Sequence, residues 1–172
     1  MNQVQEYMIE RFRSWFEDAN IKAEIFQSVS SRKLSKPLDI NNRVLAVAEF
    51  AKREEAISLA AANKRVSNIL AKLDSPVSDN FENKFLLEDA EKNLASVLLA
   101  IKEKTAPLFE NNDYTKALSE LAQLKDVVDQ FFADVMVMTD DLDVRNNRLG
   151  LLQSLRNLFL RVADISYLDV KK

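Results

Sequence analysis

An all-α fold, a helical bundle of about five to seven helices, is what this sequence predicts, and three observations predict it. The 172 residues include 1 Gly and 3 Pro, too few for the tight turns that a sheet-rich fold of this length requires. Hydrophobic residues make up 47% and charged residues 30%, an ordinary globular balance that excludes a disordered chain. Apolar residues recur at intervals of three and four along most of the chain, the spacing of amphipathic helices. The length suits a single domain over residues 1–172.

Each element follows from local pattern. Residues 3–18 set Tyr7, Met8, Phe12, Trp15 and Phe16 on one helical face, Asn20 interrupts, and 21–29 form a second short amphipathic piece. Residues 30–37, Ser-Ser-Arg-Lys-Leu-Ser-Lys-Pro, read as a loop. Asp39 is placed to cap a helix through Phe50 that packs Val44, Leu45, Val47 and Ala48. An alanine-rich helix over 53–73 follows, and Asp74-Ser75-Pro76 ends it, because proline restricts the residue before it and donates no N–H. Asp79 or Asn80 opens the next helix, which runs to Lys104, with Pro107 in the following break. Asn111-Asn112-Asp113 caps a long helix over 114–138. Its Leu121, Leu124, Val128, Phe131 and Val135 keep a helical period, so core accounts for Phe131-Phe132 and for 136–138 better than a ligand box does. Thr139-Asp140-Asp141 leads into the last helix, 142–166, with acids suited to its positive N-terminal end.

Composition removes most catalytic chemistry. Cys and His are both absent, so disulfides, zinc-thiolate sites and His-activated nucleophiles are excluded and a reducing compartment fits. A single glycine, Gly150, cannot build a phosphate-cradling loop. No apolar run reaches the length of a membrane span, and residues 1–10 are not a signal peptide. Asp140, Asp141 and Asp143 are accounted for by helix capping, and no metal site is expected. A carboxylate enzyme such as a phosphohydrolase is disfavoured.

Charge is divided along the chain. The net charge is −3, yet 57–73 and 144–163 contain no acid and hold seven cations, leaving 17 basic against 27 acidic residues elsewhere. On a helical wheel Leu59, Ala62, Val66, Ile69, Leu70 and Leu73 share one side, while Ala61, Lys64, Arg65, Asn68 and Lys72 lie opposite. That second stripe is either a solvated outer face or a nucleic-acid contact. In the latter case the cations hold phosphates and Asn68 reads an unpaired base, with Asn63 a weaker candidate nearer the apolar side. In the last helix Arg148 projects into the apolar face of Leu151, Leu152, Leu155, Phe159 and Val162, and a charge there needs a partner. A structural clamp with Asp134, Asp140 or Asp141 is favoured over ligand contact, Asp134 being the chosen partner. Arg145 and Arg156 share a more exposed stripe and are the ligand candidates on this helix.

Several segments carry a family resemblance. Ala-Ala-Ala-Asn-Lys-Arg-Val-Ser-Asn-Ile-Leu-Ala-Lys (60–72), preceded by Leu59, resembles the tRNA-binding helix of DALR-type anticodon-binding domains, in the version carried by β subunits of bacterial tetrameric glycyl-tRNA synthetases. Residues 121–138 are similar to that family's penultimate helix, 145–166 to its last, and 11–29 to the start of the region. Lys125 and Val127 stand where an arginine and a proline are usual, and Ala133 where an acid is usual. Gly150 departs too, at some expected cost in helix stability.

The resemblance implies that the chain is the C-terminal part of a longer β subunit, that the partner is glycine tRNA, and that the rest of the β subunit and the α subunit are further partners. Glycylation with ATP and magnesium would take place on the α subunit, in the cytoplasm, with no cofactor in this segment and no role at a membrane or on DNA. Lys64, Arg65, Lys72, Arg145 and Arg156 would meet the anticodon arm, and Asn68 would read a base. The rival is a helical interaction module that docks on other domains or subunits, for which the aromatic first helix and the broad apolar last helix are suited.

Overall fold

The computed structural model describes residues 3–169, and every regular element among them is helical. The α-helices are α1 (Gln3–Asp18), α2 (Ala23–Ser30), α3 (Pro37–Phe50), α4 (Glu54–Ala71), α5 (Asp89–Glu110), α6 (Tyr114–Leu121), α7 (Lys125–Asp134) and α8 (Leu142–Leu160). A 3-10 turn at Ala122–Leu124 joins α6 to α7 without a break, and two more lie at Asn83–Phe85 and Ile165–Tyr167. The expected helical bundle is therefore what forms. One core runs through it, with Phe16, Phe50, Leu59, Leu98, Leu121, Phe131, Leu152 and Phe159 wholly buried. α4 packs on α7, α8 and the last 3-10 turn, α5 on α6, α7 and α8, and α3 on α2 and α6. α1 leans mainly on α2.

Local chemistry explains several boundaries that differ from the sequence expectation. α3 starts at Pro37, with extended Lys36 before it. Proline suits the first helical position, where its missing N–H would go unpaired in any residue. Asp39 therefore does not cap α3; it sits in the first turn and pairs with Arg43 at 2.9 Å. Leu45, expected in the core, is exposed. Pro107 lies inside α5, not in a break. It falls in the last turn, is exposed, and is followed by buried Phe109, which holds that turn to the core. The long helix expected over 114–138 tightens at Ala122–Leu124 and ends at Asp134. Beyond it Val135 is extended and 137–138 form a turn, with Val135 and Val137 buried and Met136 and Met138 exposed. α8 ends at Leu160, where the Asp164 N–H goes to the Ser28 carbonyl at 2.8 Å, and arginines from elsewhere fill the carbonyls left free there. Arg32 Nε donates to the Leu160 oxygen at 3.1 Å, and Arg43 Nη1 donates to those of Arg161 and Val162 at 2.5 and 2.9 Å. Asp113 and Asp141 cap α6 and α8 as their positions suggested.

The largest departure is the stretch 74–88, expected to enter a helix at Asp79 or Asn80. It instead crosses the N-terminal half of α8 as an irregular strap, and α5 begins only at Asp89. Glu91 sets that start. Its Oε2 accepts from the backbone N–H groups of Leu87 and Glu88 at 2.9 and 2.7 Å, closing a capping box. The strap is tied down by Asn147, which accepts from the Glu82 N–H at 2.6 Å and donates to its carbonyl at 3.2 Å.

The same Glu91 is the partner of Arg148. Arg148 Nε donates to Oε1 at 2.6 Å, Nη2 to Oε2 at 3.3 Å, and Nη1 to the Met136 carbonyl at 2.7 Å. Asp134 is not involved; it accepts from Gln130 one turn earlier on its own helix. The clamp therefore joins α8 to α5 rather than to α7. Sequence proximity pointed to Asp134, whereas burial selected the carboxylate: Glu91 is 0% exposed and Arg148 5%. An ion pair this deep is tolerated only when its remaining donors and acceptors are filled, as they are here.

Gly150 also has a structural reason. A Cβ on it would lie 2.1 Å from the Asn80 carbonyl oxygen and 3.4 Å from that of Ser78. Propensity favours alanine in a helix by up to ~1 kcal/mol, yet here the strap leaves no room. Gly150→Ala should destabilise the chain by about 1–3 kcal/mol, read as a fall in the urea midpoint. A gain in stability would show that the strap does not hold this position.

Candidate nucleic-acid interface

The face of α4 opposite the core carries the expected stripe. Leu59, Ala62 and Val66 are buried, while Ala61, Lys64, Arg65, Asn68 and Lys72 are all exposed. Lys64 and Lys72 are eight residues apart, so by helical rise the stripe is about 12 Å long. Asn63 is out of reach of any ligand: it is buried and donates to the Leu59 carbonyl at 3.0 Å. Its position nearer the apolar side of the wheel had marked it as the weaker candidate.

Electrostatic pairing separates these cations from many others. Lys52, Lys84, Lys92, Lys104, Lys116 and Lys125 each lie within 4.0 Å of a carboxylate. Among the described residues, Lys64, Arg65, Lys72 and Arg145 have no such partner. The N-terminal end of α4 is different in kind. Ser58 donates to Asp129 of α7, and Lys125 pairs with that carboxylate at 3.0 Å, so an acid bounds the cationic stripe at this end.

Phe132 is the residue that sequence reasoning missed. Phe131 and Phe132 were both assigned to the core, but only Phe131 is fully buried. Phe132 lies partly open beneath the Arg65 guanidinium, 4.4 Å from ring centroid to Cζ. The ring attracts the cation without spending its hydrogen-bond donors on a carboxylate. Residue spacing does not reveal this, because 132 lies four residues after Val128 and so within the apolar arc, at its edge.

α8 contributes less than expected. Arg145 is half-buried on this helix, which packs on α4, and has no carboxylate partner among the described residues. Arg156 is a correction. Its guanidinium forms a fork with Asp164 at 3.2 and 2.9 Å, and its side chain is only 13% exposed. It is not on an open stripe; it ties the end of α8 to the turn at Ile165–Tyr167, which Asp164 caps through the Ser166 N–H. Burial by itself would raise the Asp164 carboxyl, but hydrogen bonds from Arg156 and Ser166 outweigh it and hold the group below its ordinary value. Among the described residues, no group of three or more acidic side chains could hold a metal ion and no helix is long and apolar enough to cross a membrane.

A bundle whose fourth helix shows a solvent-facing cationic stripe matches a known family. Residues 59–168, from the middle of α4 to the end of the last 3-10 turn, match the model of the DALR anticodon binding domain. The chain belongs to that family. It is also 52% identical over 169 residues to the glycine--tRNA ligase beta subunit of Hahella chejuensis, and 48% over 168 residues to that of Shewanella amazonensis. The Vibrio parahaemolyticus protein of the same name is 49% identical over 166 residues. These matches cover 98%, 98% and 96% of this chain. The chain spans 24% of the length of each of these relatives.

Asp164→Asn should lower the unfolding free energy by about 1–3 kcal/mol near pH 7, where the charged hydrogen bonds are intact. Because the folded carboxyl titrates below its ordinary 3.8, its contribution is complete above that value and is lost as pH falls through the depressed one. The gap between wild type and variant in urea unfolding is therefore constant from pH 7 down to about pH 4 and narrows below 3.8. A gap independent of pH would remove Asp164 from the acid response.

Proposed function

We propose that this chain grips the anticodon arm of glycine tRNA, as the tRNA-recognition part of a glycyl-tRNA synthetase β subunit in the cytoplasm. The observation that carries the reading is the exposed stripe Lys64-Arg65-Asn68-Lys72, whose cations have no carboxylate partner among the described residues. Lys64, Lys72 and Arg145 would anchor phosphates. Arg65, whose guanidinium lies over the Phe132 ring at 4.4 Å, offers a planar cation on which an unstacked base can lie. Asn68 carries both a donor and an acceptor and is the base-reading candidate. Names shared by relatives along nearly the full chain support the tRNA as the glycine one. The chain would then hold substrate, while the α subunit, with ATP and magnesium, carries out glycylation. The rest of the β subunit and the α subunit would be its protein partners.

A second reading has one observation behind it. Tyr7 and Trp15 of α1 are each more than half exposed, a surface suited to docking on another domain. Salt separates the two modes, since counterion release makes RNA binding steeply salt-dependent and apolar docking is not.

Lys64→Ala with Arg65→Ala should weaken binding of a glycine tRNA transcript roughly tenfold or more at low salt and flatten the dependence of log K on log salt. Unchanged affinity and slope would remove α4 from the interface. Asn68→Ala should instead reduce the preference for the intact anticodon over one altered at its second and third bases. An equal loss for both RNAs would make Asn68 a positioning residue.

A further inference from the structure

A third stretch of the chain is free of acid. Residues 25–38 contain Arg32, Lys33 and Lys36 and no carboxylate. They span the end of α2, the α2–α3 loop and the start of α3, which the fold brings against the C-terminal end of α8. There they meet Arg43 and the backbone of Arg161. Asp164, whose N–H bonds to the Ser28 carbonyl at 2.8 Å, has its carboxylate held by Arg156, and beside Lys33 and Lys36 in the loop crevice lies Asp39. That carboxylate is already engaged by Arg43 and by the Tyr114 hydroxyl, which donates to it. Burial, then the bond to Asp39, pushes the phenol up to about 12, so it stays protonated. The cluster edges a crevice of about 410 Å³ lined in part by Lys33, Ser35, Lys36 and Arg43.

Part of this charge has a structural use. The C-terminal end of a helix is negative, and Arg32 and Arg43 fill the carbonyls of Leu160, Arg161 and Val162. Lys33, Lys36 and Arg161 do none of this. All three are exposed, and among the described residues their charged groups make no ion pair or hydrogen bond; Arg161 lies over the Phe109 ring at 4.5 Å. Lys33 is held in addition at φ 53, in the left-handed region. Lysine is strained there and glycine is not.

We infer that Lys33, Lys36 and Arg161 form a second phosphate-binding patch, on the α2–α3 loop and the end of α8, that grips an RNA backbone without reading its sequence. The inference rests on the RNA-binding reading above but uses different elements from α4. The patch offers two ammonium groups, a guanidinium and the Ser35 hydroxyl, all of them donors suited to phosphate oxygens. It offers no group placed to discriminate between bases. Its contribution is accordingly the same for any RNA of similar shape.

The test compares the 172-residue chain with K33Q/K36Q and with K64A/R65A. Each is titrated at several salt concentrations against a glycine tRNA transcript and against the same transcript with an altered anticodon. K33Q/K36Q should weaken both RNAs equally, by roughly tenfold at low salt, and lower the log–log salt slope by about one to two. The melting temperature should not change, since both side chains are exposed. Lys33→Gly should weaken binding while leaving the melting temperature equal or higher, which a purely structural lysine would not do. Unchanged affinity and slope for K33Q/K36Q, with K64A/R65A still impaired, overturns the patch and leaves the α4 reading standing. The reverse pattern keeps the patch and overturns α4. Wild type that binds neither RNA but adheres to phosphatidylserine vesicles overturns both.

Discussion

The buried Arg148–Glu91 pair is the interaction on which the arrangement of the C-terminal half depends. One carboxylate does two things at once: it closes the capping box that starts α5 and neutralises a guanidinium in the middle of the apolar face of α8. The third arm of the guanidinium takes the Met136 carbonyl and so holds the chain where it leaves α7. Three segments distant in sequence are thereby fixed relative to one another. Removing either charge would leave the other buried and unpaired, a loss of about 3–5 kcal/mol. The strap at 74–88 depends on the same arrangement. It lies over α8 because Asn147 binds its backbone and because Gly150 lets that backbone come close.

The arginines divide by use. Arg148, Arg156 and Arg43 have their donors occupied by carboxylates and helix-end carbonyls. Arg65 and Arg161 rest on phenylalanine rings, as Arg43 does on Tyr114, but unlike Arg43 they have no carboxylate partner among the described residues. A ring attracts a guanidinium while leaving its edge donors free, whereas a carboxylate consumes them. This gives a physical criterion for telling a structural arginine from one available to a polyanion. By it, α4 and the α2–α3 loop with the end of α8 present the available charge, and most of α8 does not.

Much of the architecture could be read from periodicity and composition. The apolar side of α4 followed from 3.6-residue spacing: Leu59, Ala62 and Val66 are buried, Ile69, Leu70 and Leu73 partly so, and the opposite stripe is exposed. Aspartates at 113 and 141 capped the helices after them, because an N-cap is a contact within one turn and leaves its mark in adjacent residues. Reasoning of the same kind failed at Asp79, Asp39 and Pro107. In each case a local signal was outweighed, or put to another use, by a neighbour that the chain order does not reveal.

What the sequence by itself determined is the helical class, the apolar faces of α6–α7 and α8, and the exposed cationic stripe of α4. These depend on residue spacing, which is the same information whether the chain is folded or not. The tertiary structure alone decided which carboxylate meets Arg148, that Asp164 removes Arg156 from the surface, that Phe132 lies under Arg65, and that Gly150 is a packing requirement. Each is a contact between segments whose order in space is set by how the whole bundle closes. Electrostatic energy in a buried site follows distance and solvent exclusion, and neither can be read from position along the chain.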